Sequence, residues 1–132
     1  MHRLLVVDDE IDVCDFVRNF FEERGFKVFT ALNGTEAVSI VQREHPELIL
    51  LDIKMKGIDG LAALRQIREV DPNCKVIMVT ALEEQDKMDE AKACGAIGYI
   101  TKPLMLEYLE AAVMNNISMT DSNDEIRNRN DI

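Results

Sequence analysis

This sequence of 132 residues has little positive charge: Lys and Arg number 15 against 25 Asp and Glu, a net charge of −10. Nucleic-acid surfaces need a basic patch, so direct nucleic-acid contact is not expected. No apolar run approaches the ~18 residues that mark a membrane-spanning helix. The first residues, MHRLLVVDDE, turn acidic where the apolar core of a signal peptide would continue, so no secretory leader is expected. Cysteine is scarce and odd in number: Cys14, Cys74 and Cys94, with no C-x-x-C spacing. That excludes a disulfide framework and reads as reduced thiols of a cytoplasmic protein, serving as small core residues. Only His2 and His45 are available to assist a catalytic cysteine; both read as solvated surface residues without acids placed to make them ligands. There is no internal repeat at the ~20–50-residue period of solenoids. The glycine-rich phosphate loop of dinucleotide-binding and Walker-type proteins is also missing; DDEID stands after the first apolar run instead, where its charge would repel a pyrophosphate.

What is present is an alternation of short apolar runs and helical patterns. RLLVV (3–7), FKVFT (26–30), LILLD (48–52), KVIMVT (75–80) and IGYIT (97–101) predict five strands. Between and after them, five helices are predicted: over 11–24, with Val13, Val17 and Phe20 at helical spacing and Phe16 and Phe21 alongside; from Asn33 to before Pro46; around Leu61, Leu64 and Ile67; over 84–94, with Met88, Ala91 and Cys94 inward; and from Leu104 to about Asn116. Asn33 with Glu36 forms a capping-box pattern. Repeated β-α units of this length give a parallel sheet covered by helices on both faces. Strands one, three and four are continuous apolar runs and should be buried on both sides. Lys27 in the second strand and Gly98 in the short fifth strand suit edges. The expected fold is therefore a flavodoxin-like doubly wound α/β sandwich, a (βα)5 unit of strand order 2-1-3-4-5. Residues 1–117 should form one domain. The polar stretch SMTDSNDEIRNRNDI (118–132) has too few apolar residues to pack and is expected to be a flexible tail with no output domain after it.

In open α/β sheets, ligands bind beyond the carboxyl ends of the strands, where strand order reverses. Strand one runs into Asp8 and Asp9, strand three ends at Asp52, strand four at Thr80, and Lys102 follows strand five. A single acid at a strand end is usually a cap or a solvated turn. Complementary groups from four strand ends point instead to a site. Clustered carboxylates suit a hard divalent cation such as Mg²⁺, which takes one or two of them and keeps positions for phosphate oxygens. A carboxylate can itself be the nucleophile of phosphoryl transfer, with the metal and a lysine neutralising the transferred group. Asp52, at the end of the central strand, is the best candidate.

These motifs closely resemble the receiver domain of bacterial two-component response regulators. LLVVDDE, LILLDIKMKGIDG, VIMVTA and GYITKP stand in the family's order and spacing across about residues 3–116. The resemblance implies that Asp52 is the phosphoacceptor. Asp9 and Asp52 would bind Mg²⁺ directly, Asp8 largely through water, and the Lys54 backbone carbonyl would add a ligand. Thr80 and the N–H of Ala81 would hold phosphoryl oxygens, and Lys102 would pair with the phosphoryl group. The Lys102–Pro103 bond would be cis, and Tyr99 would be an aromatic switch acting with Thr80. The implied donor is a sensor histidine kinase or phosphotransfer protein. The implied result is a changed surface on the fourth helix, fifth strand and fifth helix, which controls an output protein or domain or pairs with a second copy. Glu83, Glu84, Asp86 and Lys87 make that face so charged that solvation accounts for it equally well.

One position departs from the family. Lys56 stands where proline is usual, four residues after the acceptor; it reads as a tolerated surface lysine or as a residue that alters phosphoryl lifetime or partner contact. Lys54 and Leu82 border the same pocket. Two other readings compete with the switch: a degenerate receiver that only binds partners, and a Mg²⁺-dependent phosphatase with an aspartyl nucleophile. The intact set Asp8, Asp9, Asp52, Thr80 and Lys102 opposes the first. Lys54 opposes the second, since it stands where such phosphatases place a second acid.

Overall fold

The computed structural model describes residues 1–81 and 86–121, with side chains as far as Ile117. Leu82, Glu83, Glu84 and residues 122–132 lie outside the described residues, as does the predicted start of the fourth helix. In chain order the elements are β1 (Arg3–Val7), α1 (Ile11–Glu22), β2 (Lys27–Ala31), α2 (Gly34–Glu44), β3 (Leu48–Asp52), α3 (Gly60–Val70), β4 (Lys75–Thr80), α4 (Met88–Ala93), β5 (Gly98–Thr101) and α5 (Leu106–Asp121). All the strands are parallel, and they are ordered β2-β1-β3-β4-β5 as expected.

Strand side chains point alternately to the two faces of the sheet, and this divides the core in two. Leu5, Val7, Ile49, Leu51, Val76 and Met78 face α2, α3 and α4. Leu4, Val6, Leu48, Leu50, Ile77 and Val79 face α1 and α5. The three central strands are apolar on both sides because both sides are covered. Burying each such side chain is worth about 1.5–3 kcal/mol. Short polar side chains start two of the helices: Asn33 Oδ1 accepts the N–H of Glu36 (2.8 Å), and Asp59 Oδ1 that of Ala62 (2.9 Å). Arg68, in the last turn of α3, donates to the carbonyls of Pro72 and Cys74 before β4 and to those of Cys94 and Gly95 after α4. It thereby gives partners to loop carbonyls on both sides of β4 and to that of Cys94, the capping residue of α4.

Four local expectations are corrected. In α1 the buried residues are Cys14, Val17 and Phe21. The three-and-four spacing of that set leaves Phe16 out of phase and 49% exposed. Cys94 caps the end of α4 and is only half-buried, while Met88 and Ala91 are buried. The last helix starts at Leu106 rather than Leu104 and continues past Asn116 to Asp121, so residues 118–121, expected in the tail, are helical. Leu109, Val113 and Ile117 form a buried stripe at four-residue intervals, and Asn116 spends its side-chain N–H₂ on the Ala112 carbonyl (2.7 Å); together they carry the helix past its polar turn. Both histidines do face an acid: His2 Nδ1 lies 2.7 Å from Glu47 Oε1, and His45 Nδ1 3.5 Å from Asp71 Oδ2. No helix among the described residues is long and apolar enough to cross a membrane.

Candidate functional site

The acids gather where β1 and β3 leave the core. Asp8 continues the line of β1, its N–H donating to the Ala31 carbonyl (3.1 Å). Its carboxylate is turned inward and only 2% of the residue is exposed. Asp8 Oδ1 accepts the N–H of Glu10 (2.9 Å). Asp52 ends β3 with 4% of its surface exposed, and its Oδ1 accepts the Lys54 N–H (3.3 Å). Asp9 is more open to solvent. One oxygen from each of Asp8, Asp9 and Asp52 lies within 4.8 Å of the others.

Lys102 joins the buried pair. Its Nζ is 3.1 Å from Asp8 Oδ2 and 3.1 Å from Asp52 Oδ2. The backbone fixes its starting point, because the Lys102 N–H donates to the Thr80 carbonyl (2.7 Å). The Lys102–Pro103 bond is cis, as the resemblance implies. Burial pushes the Asp52 carboxyl up to about 6; the Lys102 charge opposes this and the Asp8 charge adds to it. Burial alone would lower the Lys102 ammonium, but hydrogen bonds and charges from Asp8 and Asp52 outweigh it and raise its pKa. One ammonium against three carboxylates leaves net negative charge in a largely buried place. An all-oxygen donor set with that charge fits a hard divalent cation.

Thr80 is fully buried, and its hydroxyl donates to the Ala81 carbonyl (2.9 Å). Tyr99, on β5, is 47% exposed. The Lys54 side chain is exposed. Asp59 and Gly60 form the start of α3, and Gly60 also bears on the site. A Cβ there would collide with the backbone of Asp52 and Ile53, and the Gly60 N–H donates to the Ile53 carbonyl (2.7 Å). The sequence signal was present in IDG, yet a glycine after a capping aspartate does not reveal which backbone it touches. Glu10 contributes only its N–H to Asp8, and its side chain caps nothing.

The family model described as the response regulator receiver domain matches residues 4–114. The chain belongs to the response regulator receiver family. This receiver domain is 36% identical over 111 residues to sporulation initiation phosphotransferase F of Bacillus subtilis, covering 84% of the chain and 90% of that protein. It is 30% identical over 118 residues to the chemotaxis protein CheY of Bacillus subtilis, covering 89% and 98%. Against the regulatory protein AtoC of Escherichia coli it is 35% identical over 127 residues, covering 96% of the chain but 28% of the relative. Receiver sequences of this kind therefore occur both as nearly whole proteins and as part of longer ones. Among solved structures, a two-component response regulator from Clostridium difficile superposes on the receiver domain with a TM-score of 0.86 at 30% identity, covering 92% of this chain and 100% of that one.

Proposed function

We propose that this receiver domain is a phosphorylation-dependent switch whose acceptor is Asp52. The observation that carries the reading is the Lys102 ammonium held between two buried carboxylates, Asp8 and Asp52. A sensor histidine kinase or phosphotransfer protein is the donor. The phosphorus–nitrogen bond of its phosphohistidine breaks as a bond forms from an Asp52 carboxylate oxygen to phosphorus, and the electron pair of the broken bond stays on the imidazole. Asp9, Asp52 and the Lys54 carbonyl would hold Mg²⁺, with Asp8 acting through water, and the ion would supply charge neutralisation for the transferred group. Lys102 keeps its place beside Asp52 and pairs with the arriving phosphoryl oxygens. The N–H of Ala81 donates to the same group.

The switch follows from a local charge change. The Thr80 hydroxyl gives up its bond to the Ala81 carbonyl and donates to a phosphoryl oxygen. Tyr99 turns from its exposed position into the space that this movement leaves. The surface of α4, β5 and α5 changes with it, as a shift of population between two states. An output protein or domain reads that surface, or a second copy pairs through it. Hydrolysis of the aspartyl phosphate resets the domain, which is a switch and not a dedicated enzyme.

Incubation with Mg²⁺ and a small acyl phosphate, followed by intact-mass measurement, tests the reading. The expected result is a gain of one phosphoryl group that Asp52→Asn abolishes. No gain, together with no Mg²⁺ binding, would favour the degenerate receiver and refute the switch. Steady turnover of phosphate esters would favour the phosphatase.

A further inference from the structure

Beside the acid cluster runs a groove of about 600 Å³ that shares Asp9 with it. Leu32 and Ile58 form apolar parts of its lining, and Lys56 a cationic part; Lys54 does not line it. Lys56 is exposed, stands immediately before a left-handed turn at Gly57 (φ 81°), and has no carboxylate partner among the described residues. Asp9, which also lines the groove, belongs to the candidate metal site. Once Lys102 and a divalent cation offset the three carboxylates, the centre carries no net charge. The charge at the rim then decides how a departing anion is received.

Donors differ at that point. When an acyl phosphate transfers its phosphoryl group to Asp52, the phosphorus–oxygen bond breaks and its electron pair leaves on a carboxylate. When a phosphoramidate or phosphohistidine transfers, the phosphorus–nitrogen bond breaks and its electron pair stays on a nitrogen group that already carries its proton, which leaves without negative charge. Resting on Asp52 as acceptor, we propose that Lys56 is a specificity-determining residue that favours small acyl phosphates by stabilising the departing carboxylate in this groove, with Leu32 and Ile58 against its acyl carbon chain. Lys56 thus sets how readily the domain is charged without a kinase.

Initial rates of Asp52 phosphorylation by acetyl phosphate and by phosphoramidate, at saturating Mg²⁺ and fixed ionic strength, give a donor ratio. An exposed charge contact predicts that Lys56→Gln lowers the acetyl phosphate to phosphoramidate ratio roughly two- to fivefold. Lys56→Glu lowers it further, and Lys56→Arg preserves it. The difference between wild type and Lys56→Gln should shrink toward ~1 M salt, where the screening length is about 3 Å. A ratio unchanged in Lys56→Gln, or lowered equally in Lys56→Arg, overturns the role of Lys56 while leaving Asp52 as acceptor. Failure of both donors to modify the wild type, or modification that survives Asp52→Asn, overturns both.

Discussion

Replacing Asp52 with Asn should stabilise the domain at neutral pH in the absence of divalent cations. Burial raises the Asp52 carboxyl from 3.8 to about 6 in the folded chain. A raised acid favours the folded state fully below its unfolded value, and that contribution is lost as pH climbs through the folded value. The difference between 3.8 and about 6 corresponds to about 3 kcal/mol of destabilisation once Asp52 is ionised, by about pH 7. Asparagine carries no charge and escapes that cost, while Lys102 keeps Asp8 as its partner. The gain should therefore be at most about 3 kcal/mol above pH 7 and near zero by about pH 4. Urea unfolding in EDTA at the two pH values measures it. With m-values of about 1–3 kcal/mol per molar, the midpoint should rise by at most roughly 1–3 M at the higher pH. A variant no more stable than wild type at neutral pH, or equally stabilised at both, would refute the account of Asp52 as a carboxylate charged at the expense of the fold.

Mg²⁺ should narrow that gap. At ten times its dissociation constant it should stabilise the wild type by about 1.4 kcal/mol and Asp52→Asn by much less; equal shifts in thermal unfolding would argue against Asp52 as a ligand. Gly60→Ala would place a Cβ against the Asp52 carbonyl and 2.6 Å from Ile53 Cα. Neither atom is the free end of a side chain, so a stability loss of about 1–3 kcal/mol and slower acyl phosphate labelling are expected. Unchanged urea midpoints and labelling rates would show that the backbone can yield there.

The parts of the structure legible in the sequence were those set by one dominant force. Unbroken apolar runs at Leu4–Val7 and Leu48–Leu51 marked central strands, because only burial on both faces tolerates them. Strand order followed from which runs were interrupted, at Lys27 and Gly98, and the acids followed from strand order. The misses lay where several weak terms compete. Phe16 and Phe21 are equally apolar, and only the phase of their neighbours decides that Phe21 is inside. The extent of α5 depended on Ile117 finding a place in the core after a polar turn. The partners of His2 and His45 lie far off in sequence, on Glu47 and Asp71. Spacing says nothing about such contacts. The same limit hid the approach of Gly60 to Asp52, a contact between two backbones.

The alternation that splits the core also decides the fate of two adjacent, chemically identical residues. Leu4 and Val6 belong to one cluster, Leu5 and Val7 to the other. Asp8 and Asp9 follow as the next two steps of that count. Asp8 is sealed against Lys102, and Asp9 opens toward the groove. Parity, and no property of the aspartates themselves, divides the work between them. A slip of β1 by one residue against β3 would carry one acid into the other's place and, in the same movement, turn every apolar residue of the strand to the wrong core. The hydrophobic interior therefore guards the assignment of the charged site, and an error in one is penalised by the other.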